Sequence, residues 1–323
     1  MRKDHYTLLA RKSVKTALQG LSGDAPVGFG CSGGADSAAL LFALSTLYKK
    51  ERAGLVHVVI VDHQLQSITS EISQRTAELA GSFGFNAHII PVDIVPTKEG
   101  MESDARKSRY NAFETVIQEE KLAAFLIGHT KTDQAEQVFL GMLRGSGTKS
   151  MSGIPYRRGV FVRPFLNDLS REDTQKVCEE NNYDYWCDPH NDSTDYRRVI
   201  VRKMISGIEK ETGQGIVDSL VRTSQINAED SEALDFYADS AYKSIEDAGW
   251  EIEELLKLPL AVRKRLYRRK MIEMGAITED IGFNIINRVE EFLTNWKGQK
   301  ALYASNGVRV ERKNGFLNFY IAL

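Results

Sequence analysis

The sequence predicts a doubly wound α/β fold built on a parallel sheet, followed by a smaller, mostly helical C-terminal domain. Near-continuous apolar runs of strand length alternate with segments of helical period from residue 26 to about residue 188, and the strand signal fades beyond Tyr196. The 323 residues, 42% hydrophobic and 27% charged, suffice for two domains with a substantial buried core.

The candidate strands are 27–31, 55–62, 87–92, 123–129, 160–165 and 183–187, and the helical segments between them are 36–50, 70–83, 99–121, 132–143 and 170–181. Strands that are apolar throughout, rather than alternating, are covered on both faces, as in a parallel sheet. Gly207, Gly213 and Gly215 mark a break over 206–215, so the expected domains are 1–210 and 211–323. In the second, 218–248 reads as one or two amphipathic helices. Near the end, 308–312 and 316–321 flank Asn314-Gly315, a hairpin turn signal.

No stretch approaches the roughly 18 apolar residues of a membrane span. The first twenty residues carry Arg2, Lys3, Arg11, Lys12 and Lys15 but lack the apolar block and cleavage site of a secretory signal; an organelle transit peptide is the alternative. Cys31, Cys178 and Cys187 are odd in number and form no CxxC pair, which fits a reducing compartment and a cytoplasmic protein. With a net charge of -2 and a pI near 6.4, any nucleic-acid binding must come from local basic patches.

Ligands of open α/β sheets bind at the carboxyl ends of strands, and the first strand runs into Ser32-Gly33-Gly34-Ala35-Asp36-Ser37. Glycines let the backbone approach a ligand, amides at the following helix start face an anion, and two serines add donors. Gly28, Gly30 and Gly33 formally satisfy GxGxxG, but the second strand ends in Asp62, 29 residues after Gly33 instead of about 20. A Walker loop requires lysine where this chain has Asp36. A plain strand-to-helix turn requires neither the serines nor the acid. An aspartate facing a phosphate implies a divalent cation between them.

This hexapeptide is the SGGxDS pattern of the pyrophosphatase-type ATP loop, or PP-loop. Further along come 61–66 with Asp62, His63, Gln64 and Gln66, then 101–110 with Arg106 and Arg109, and 127–136 with His129, Thr132 and Asp133. Leu143-Arg144-Gly145-Ser146-Gly147, Arg163-Pro164-Phe165-Leu166 and Asp188-Pro189-His190-Asn191 follow. In that order they resemble the VDHxLR, AREARY, HxxDDQAET, LRGSG, RPLL and DPxN signatures of the tRNA(Ile)-lysidine synthetase family, well over about residues 20–205. The tail resembles the short-tailed form of the family. Thr132 stands where the family has the first Asp of DDQ, Gln137 where it has Thr, and Gln64 and Gln66 where it has Gly and Arg.

The resemblance implies a PP-loop ATPase fold, adenine nucleotide alpha hydrolase-like, and a ligase that uses ATP and Mg2+. Its substrates would be free L-lysine and the wobble cytidine of tRNA(Ile) with a CAU anticodon. Ser32, Gly33, Gly34, Ala35, Asp36, Ser37, Asp62 and Arg109 are then the ATP-binding candidates, and Asp36, Asp133, Arg106 and His129 the catalytic ones. Asp36 and Asp133 are also the metal candidates. His129 and Asp133 both stand as acceptors for the lysine proton, and Asp62 has the plainer reading of a turn cap.

Six of the ten residues 261–270 are basic, which suits either RNA phosphates or pairing with nearby acids. Arg263, Lys264, Arg268 and Arg269, with Arg144, Arg197, Arg198 and Arg202, are the tRNA-contact candidates. His5, His57, His88 and His190 lack ligand spacing, so no zinc site is expected. Trp186, Trp250 and Trp296 read as core or hinge residues. Thiolation of tRNA by another PP-loop enzyme, and a catalytically idle RNA-binding module, are the alternatives, and both monomer and homodimer stay open.

Overall fold

The computed structural model describes residues 4–62, 67–92, 100–187 and 197–321. His63, Gln64 and Gln66 and the Asp188-Pro189-His190-Asn191 motif lie outside the described residues. The chain divides into two compact units, Met1–Ile226 and Asn227–Leu323.

The first unit holds β1 (Val27–Gly30), β2 (Val56–Asp62), β3 (Asn86–Pro91), β4 (Ala124–Leu126), β5 (Arg157–Arg158) and β6 (Phe161–Val162) in the order β3-β2-β1-β4-β6-β5. Every pairing is parallel except β5 with β6. The direction of winding reverses between β1 and β4, so the loops leaving these two strands share one crevice.

Helices cover both faces of this sheet. Val27 and Phe29 of β1 and Val56, Val58 and Ile60 of β2 pack with α1 (His5–Ala17), α2 (Ala35–Leu47), α3 (Ser67–Ser82) and α7 (Arg171–Glu180). Val59 and Phe125 face the other way, onto Phe113 and Val116 of α4 (Met101–Glu119). Gly28 and Gly30 point to that same side, where Leu122, Phe125 and Phe113 fill the space a Cβ would take. Their formal GxGxxG match is therefore a packing requirement. Helix α2 is apolar on nearly every side and is buried accordingly.

Two sequence expectations are corrected here. The segment 183–187 forms no strand; its Trp186 amide donates to the Gly33 carbonyl at 3.0 Å, so it lies along the glycine-rich loop. The division falls inside α9 (Ile216–Ala248), not in the glycine-containing turn before it. Ile216, Val217 and Leu220 pack with Ala135 of α5 (Lys131–Leu143) and with Val201 and Ile205 of α8 (Arg197–Thr212), which binds the start of α9 to the first unit. The short helix α6 (Thr148–Met151) follows α5.

The second unit contains the rest of α9, α10 (Ile252–Leu256), α11 (Leu260–Glu273), α12 (Phe283–Thr294) and the antiparallel sheet β7 (Leu302–Tyr303), β8 (Val308–Lys313) and β9 (Phe316–Ile321). Asn314 and Gly315 both have positive φ, 53° and 83°, as the β8–β9 hairpin turn requires. The basic helix α11 is largely neutralised within its own unit. The Arg263 guanidinium is buried against Glu290, which also accepts from Tyr267 at 2.8 Å. Arg265 pairs with Asp235, Arg269 with Asp239 and Glu273, and Lys270 with Glu246. Arg268 donates to the carbonyls of Ile281 and Thr278, and Lys264 to Asn287.

Arg263 as an RNA contact is thus a corrected expectation, because its charge is spent inside the unit. Replacing Glu290 by alanine strands a buried guanidinium and should lower the stability of this unit by about 3–5 kcal/mol in urea denaturation. Adding Arg263→Met should recover part of the loss.

Candidate active site

The loop after β1 is closed by its own hydroxyls. The Ser32 amide donates to Ser37 Oγ at 3.1 Å, and Ser37 Oγ donates to the Gly34 carbonyl at 3.0 Å. Gly33 has φ of 79°, a left-handed conformation that favours glycine. Ser32 is exposed and Ala35 and Ser37 are buried, so the loop presents backbone and the Ser32 hydroxyl to its cavity. That cavity, about 180 Å³, is lined by Ser32, Gly34, Ala35, Asp36 and Ser37 of the loop together with Arg171, Tyr185, Trp186 and Cys187.

The loop after β4 approaches through Gly128, where a Cβ would sit 3.0 Å from the Asp36 carbonyl oxygen. Beyond it, Thr130 caps α5 in a reciprocal box: Asp133 Oδ2 accepts from the Thr130 amide at 2.7 Å and from its hydroxyl at 3.0 Å. This pins Asp133 while its second oxygen stays outside these bonds. Asp36 Oδ1 accepts from Thr174 Oγ1 at 2.5 Å.

The two carboxylates feel one another. Burial, then the charge of Asp133, push Asp36 up to about 7, against the pull of Thr174, Arg171 and Arg202. Two acids held in mutual repulsion, each with an oxygen beyond its anchoring bonds, make a donor set suited to a hard divalent cation.

Burial lowers His129 to about 4, aided by Arg163, Arg106 and Arg198 and opposed by Asp133. Its Nδ1 accepts from Arg163 Nε at 3.1 Å, which assigns the ring proton of the neutral imidazole to Nε2. Asp62 is buried and accepts from Thr69 at 3.2 Å and Ser70 at 2.8 Å, so it ties the end of β2 to α3. Arg106 and Arg109 are exposed on α4, with Arg106 stacked 4.9 Å from the Tyr110 ring centroid. Arg144 and Arg197 are exposed.

Arg198 and Arg202 point inward to α5: Arg198 donates to Gln137 at 3.4 Å, and Arg202 forms a 2.6 Å ion pair with Glu136. The expected RNA contact of Arg202 is thereby redirected to a buried acid. Glu136 is only 1% exposed, burial raises its pKa, and its Oε2 has no hydrogen-bond partner among the described residues.

Sequence reasoning missed Glu136, Arg171 and Thr174. Glu136 sits three residues beyond Asp133 on one helix face, a usable signal. The other two come from α7, far along the chain, and nothing local marks them. Thr132, the departure from the family pattern, accepts the Arg171 amide proton at 3.1 Å. Away from the site, the sheet brings together His57 and His88, which lacked ligand spacing in sequence. Nδ1 of one lies 3.0 Å from Nε2 of the other, and the centroids are 5.3 Å apart with rings 19° from parallel. The nitrogens therefore face each other along the line of centroids, within hydrogen-bonding distance.

The raised Asp36 pKa gives a signed prediction. A carboxyl whose folded value lies above its unfolded one costs stability above pH 7 and ceases to do so as pH falls toward 4. Asp36→Asn should therefore stabilise the ligand-free protein by about 2 kcal/mol at pH 8, and by clearly less at pH 5. Thermal melts at the two pH values check this. The depressed His129 acts oppositely, losing stability as pH falls from 6.5 toward 4, but it does so in both proteins.

A family model described as a PP-loop domain matches residues 7–208. The tRNA(Ile)-lysidine synthase of Salinispora tropica is 35% identical over 95% of this chain and 94% of its own length. That of Streptomyces coelicolor is 36% identical over 89% and 83%, and that of Thermobifida fusca 34% identical over 95% of each. Among solved structures, the U34-tRNA thiolase NcsA from Methanococcus maripaludis with its [4Fe-4S] cluster superposes with a TM-score of 0.58 at 18% identity, over 69% of this chain and 79% of that one, a likeness of fold. With the loop, its facing acids and this similarity along nearly its whole length, the chain belongs to the tRNA(Ile)-lysidine synthase family of PP-loop enzymes.

Proposed function

We propose that the protein ligates lysine to the wobble cytidine of tRNA(Ile) with a CAU anticodon, consuming ATP and forming lysidine, AMP and pyrophosphate. The observation that carries this reading is the PP-loop with Asp36 set against Asp133, in a chain that matches lysidine synthases along nearly its whole length.

The C2 carbonyl oxygen of the cytidine attacks the α phosphorus of ATP, and pyrophosphate leaves. The loop amides and the Ser32 hydroxyl receive the leaving group, and Arg106 and Arg109 orient the phosphates. Asp62, at the end of β2, borders the nucleoside. Magnesium, held by Asp36 and Asp133, would neutralise charge on the phosphates.

The lysine ε-amine then attacks C2 and AMP departs. An ammonium with a pKa near ~10.4 must first give up a proton. His129 is spent as an acceptor, its Nδ1 being occupied by Arg163. Of the two candidates we assign the proton to Asp133. Cys31 and Cys178 are buried, and burial pushes Cys178 up to about 12, which gives these thiols a packing role instead of a part in sulfur transfer. No helix among the described residues is long and apolar enough to cross a membrane. A reducing cytoplasm supplies the setting of this reading, with the oligomeric state left to hydrodynamic measurement.

For the RNA, the exposed Arg144 and Arg197 are the main contacts of this reading, while Lys264, Arg268 and Arg269 contribute only what their internal partners leave.

Incubation with ATP, magnesium, labelled lysine and CAU-anticodon tRNA(Ile) should transfer label to the tRNA; folded protein that transfers none sinks the reading. Asp36→Asn should reduce tRNA-dependent AMP formation by at least about 100-fold with the fold retained. Removing the charges of Arg144 and Arg197 together should weaken tRNA binding and lower its salt slope by about 2, with ATP affinity unchanged.

A further inference from the structure

We propose that Arg171 is the protein cation that receives the departing pyrophosphate, and that Thr132 is the positioning residue that holds it at the loop. This rests on the adenylation chemistry proposed above.

Arg171 lines the same cavity as Ser32, Gly34, Ala35, Asp36 and Ser37. It is half-buried, and among the described residues its guanidinium has no hydrogen bond or ion pair. Neighbouring arginines differ: Arg202 is engaged by Glu136, Arg163 by His129 and the Pro155 carbonyl, and Arg198 by Gln137. A partly desolvated guanidinium that is held by no hydrogen bond or ion pair among the described residues, lining one cavity with a loop of amides and hydroxyls, matches a ligand with several anionic oxygens. Its charge already reaches the loop, since it is one of the groups that pull Asp36 toward ionisation.

The backbone explains how Arg171 is held there. It is the first residue of α7, whose start is stitched to the start of α5 twice: the Lys131 amide donates to the Leu169 carbonyl at 2.8 Å, and the Arg171 amide donates to Thr132 Oγ1 at 3.1 Å. One turn on, Thr174 reaches Asp36. The first turn of α7 therefore touches the site through two groups, one on the acid and one on the cavity. A carboxylate at position 132 would accept the same amide hydrogen, but would add a third negative charge beside Asp36 and Asp133 and compete for the guanidinium. The threonine hydroxyl holds the amide without that charge.

Titration of the full chain with magnesium pyrophosphate, and separately with AMP, tests this. Arg171→Gln should weaken pyrophosphate at least about tenfold, with AMP affinity changed less than about twofold; Arg171→Lys, which keeps the charge but loses the fork, should fall between. Thr132→Val should weaken pyrophosphate by several-fold, and Thr132→Ser should restore it. Pyrophosphate affinity unchanged in Arg171→Gln, undetectable in the wild type, or lost in parallel with AMP affinity, would overturn the assignment. Pyrophosphate binding through Arg171 in a protein that transfers no lysine would leave the assignment standing and overturn the tRNA chemistry.

Discussion

The site depends on keeping two carboxylates close together in a place where neither is fully solvated. Asp36 lies in the first turn of α2 and Asp133 in the first turn of α5, and the charge of one reaches the other because β1 and β4 are neighbours at the point where the sheet changes winding direction. Repulsion between them would push the loops apart unless each were tied down. Asp133 is tied by the Thr130 capping box, Asp36 by Thr174, and Gly128 lets the two backbones approach. A cation bound by both acids would turn that repulsion into affinity.

Around this pair the charges form layers. Buried Glu136, one turn on from Asp133, is paired with the half-buried Arg202, and Arg163 fixes the His129 tautomer. Both interactions use arginine nitrogens to set the state of an inner residue. Arg171, whose guanidinium has no hydrogen bond or ion pair among the described residues, comes from a third element, α7, whose start is docked on the start of α5. One of the two hydrogen bonds of that docking goes to the Thr132 hydroxyl, which gives a physical reason for a neutral residue where the family pattern has an acid.

The second unit shows how little a basic run says about a surface. Helix α11 carries most of its charge into pairs with α9, α12 and its own next turn, and Arg263 is buried outright. Sequence adjacency concentrates charge; folding decides whether a carboxylate meets it first. The arginines Arg144 and Arg197 of the first unit have weaker sequence signals but are exposed.

Local pattern alone determined the parallel sheet, the helices α2, α3, α4, α5 and α7 that cover it, the Asn314-Gly315 hairpin and the phosphate loop with Asp36. Each follows from periodicity, backbone allowance or a short motif that acts within a few residues. Tertiary structure decided the rest. It made Gly28 and Gly30 packing positions, drew 183–187 off the sheet and onto the loop, and carried the division of the chain into α9. It also brought Thr174 and Arg171 to residues 36 and 132 across more than a hundred and about forty positions, respectively. Such contacts depend on how helices dock over a finished sheet, and a one-dimensional pattern carries no record of that geometry.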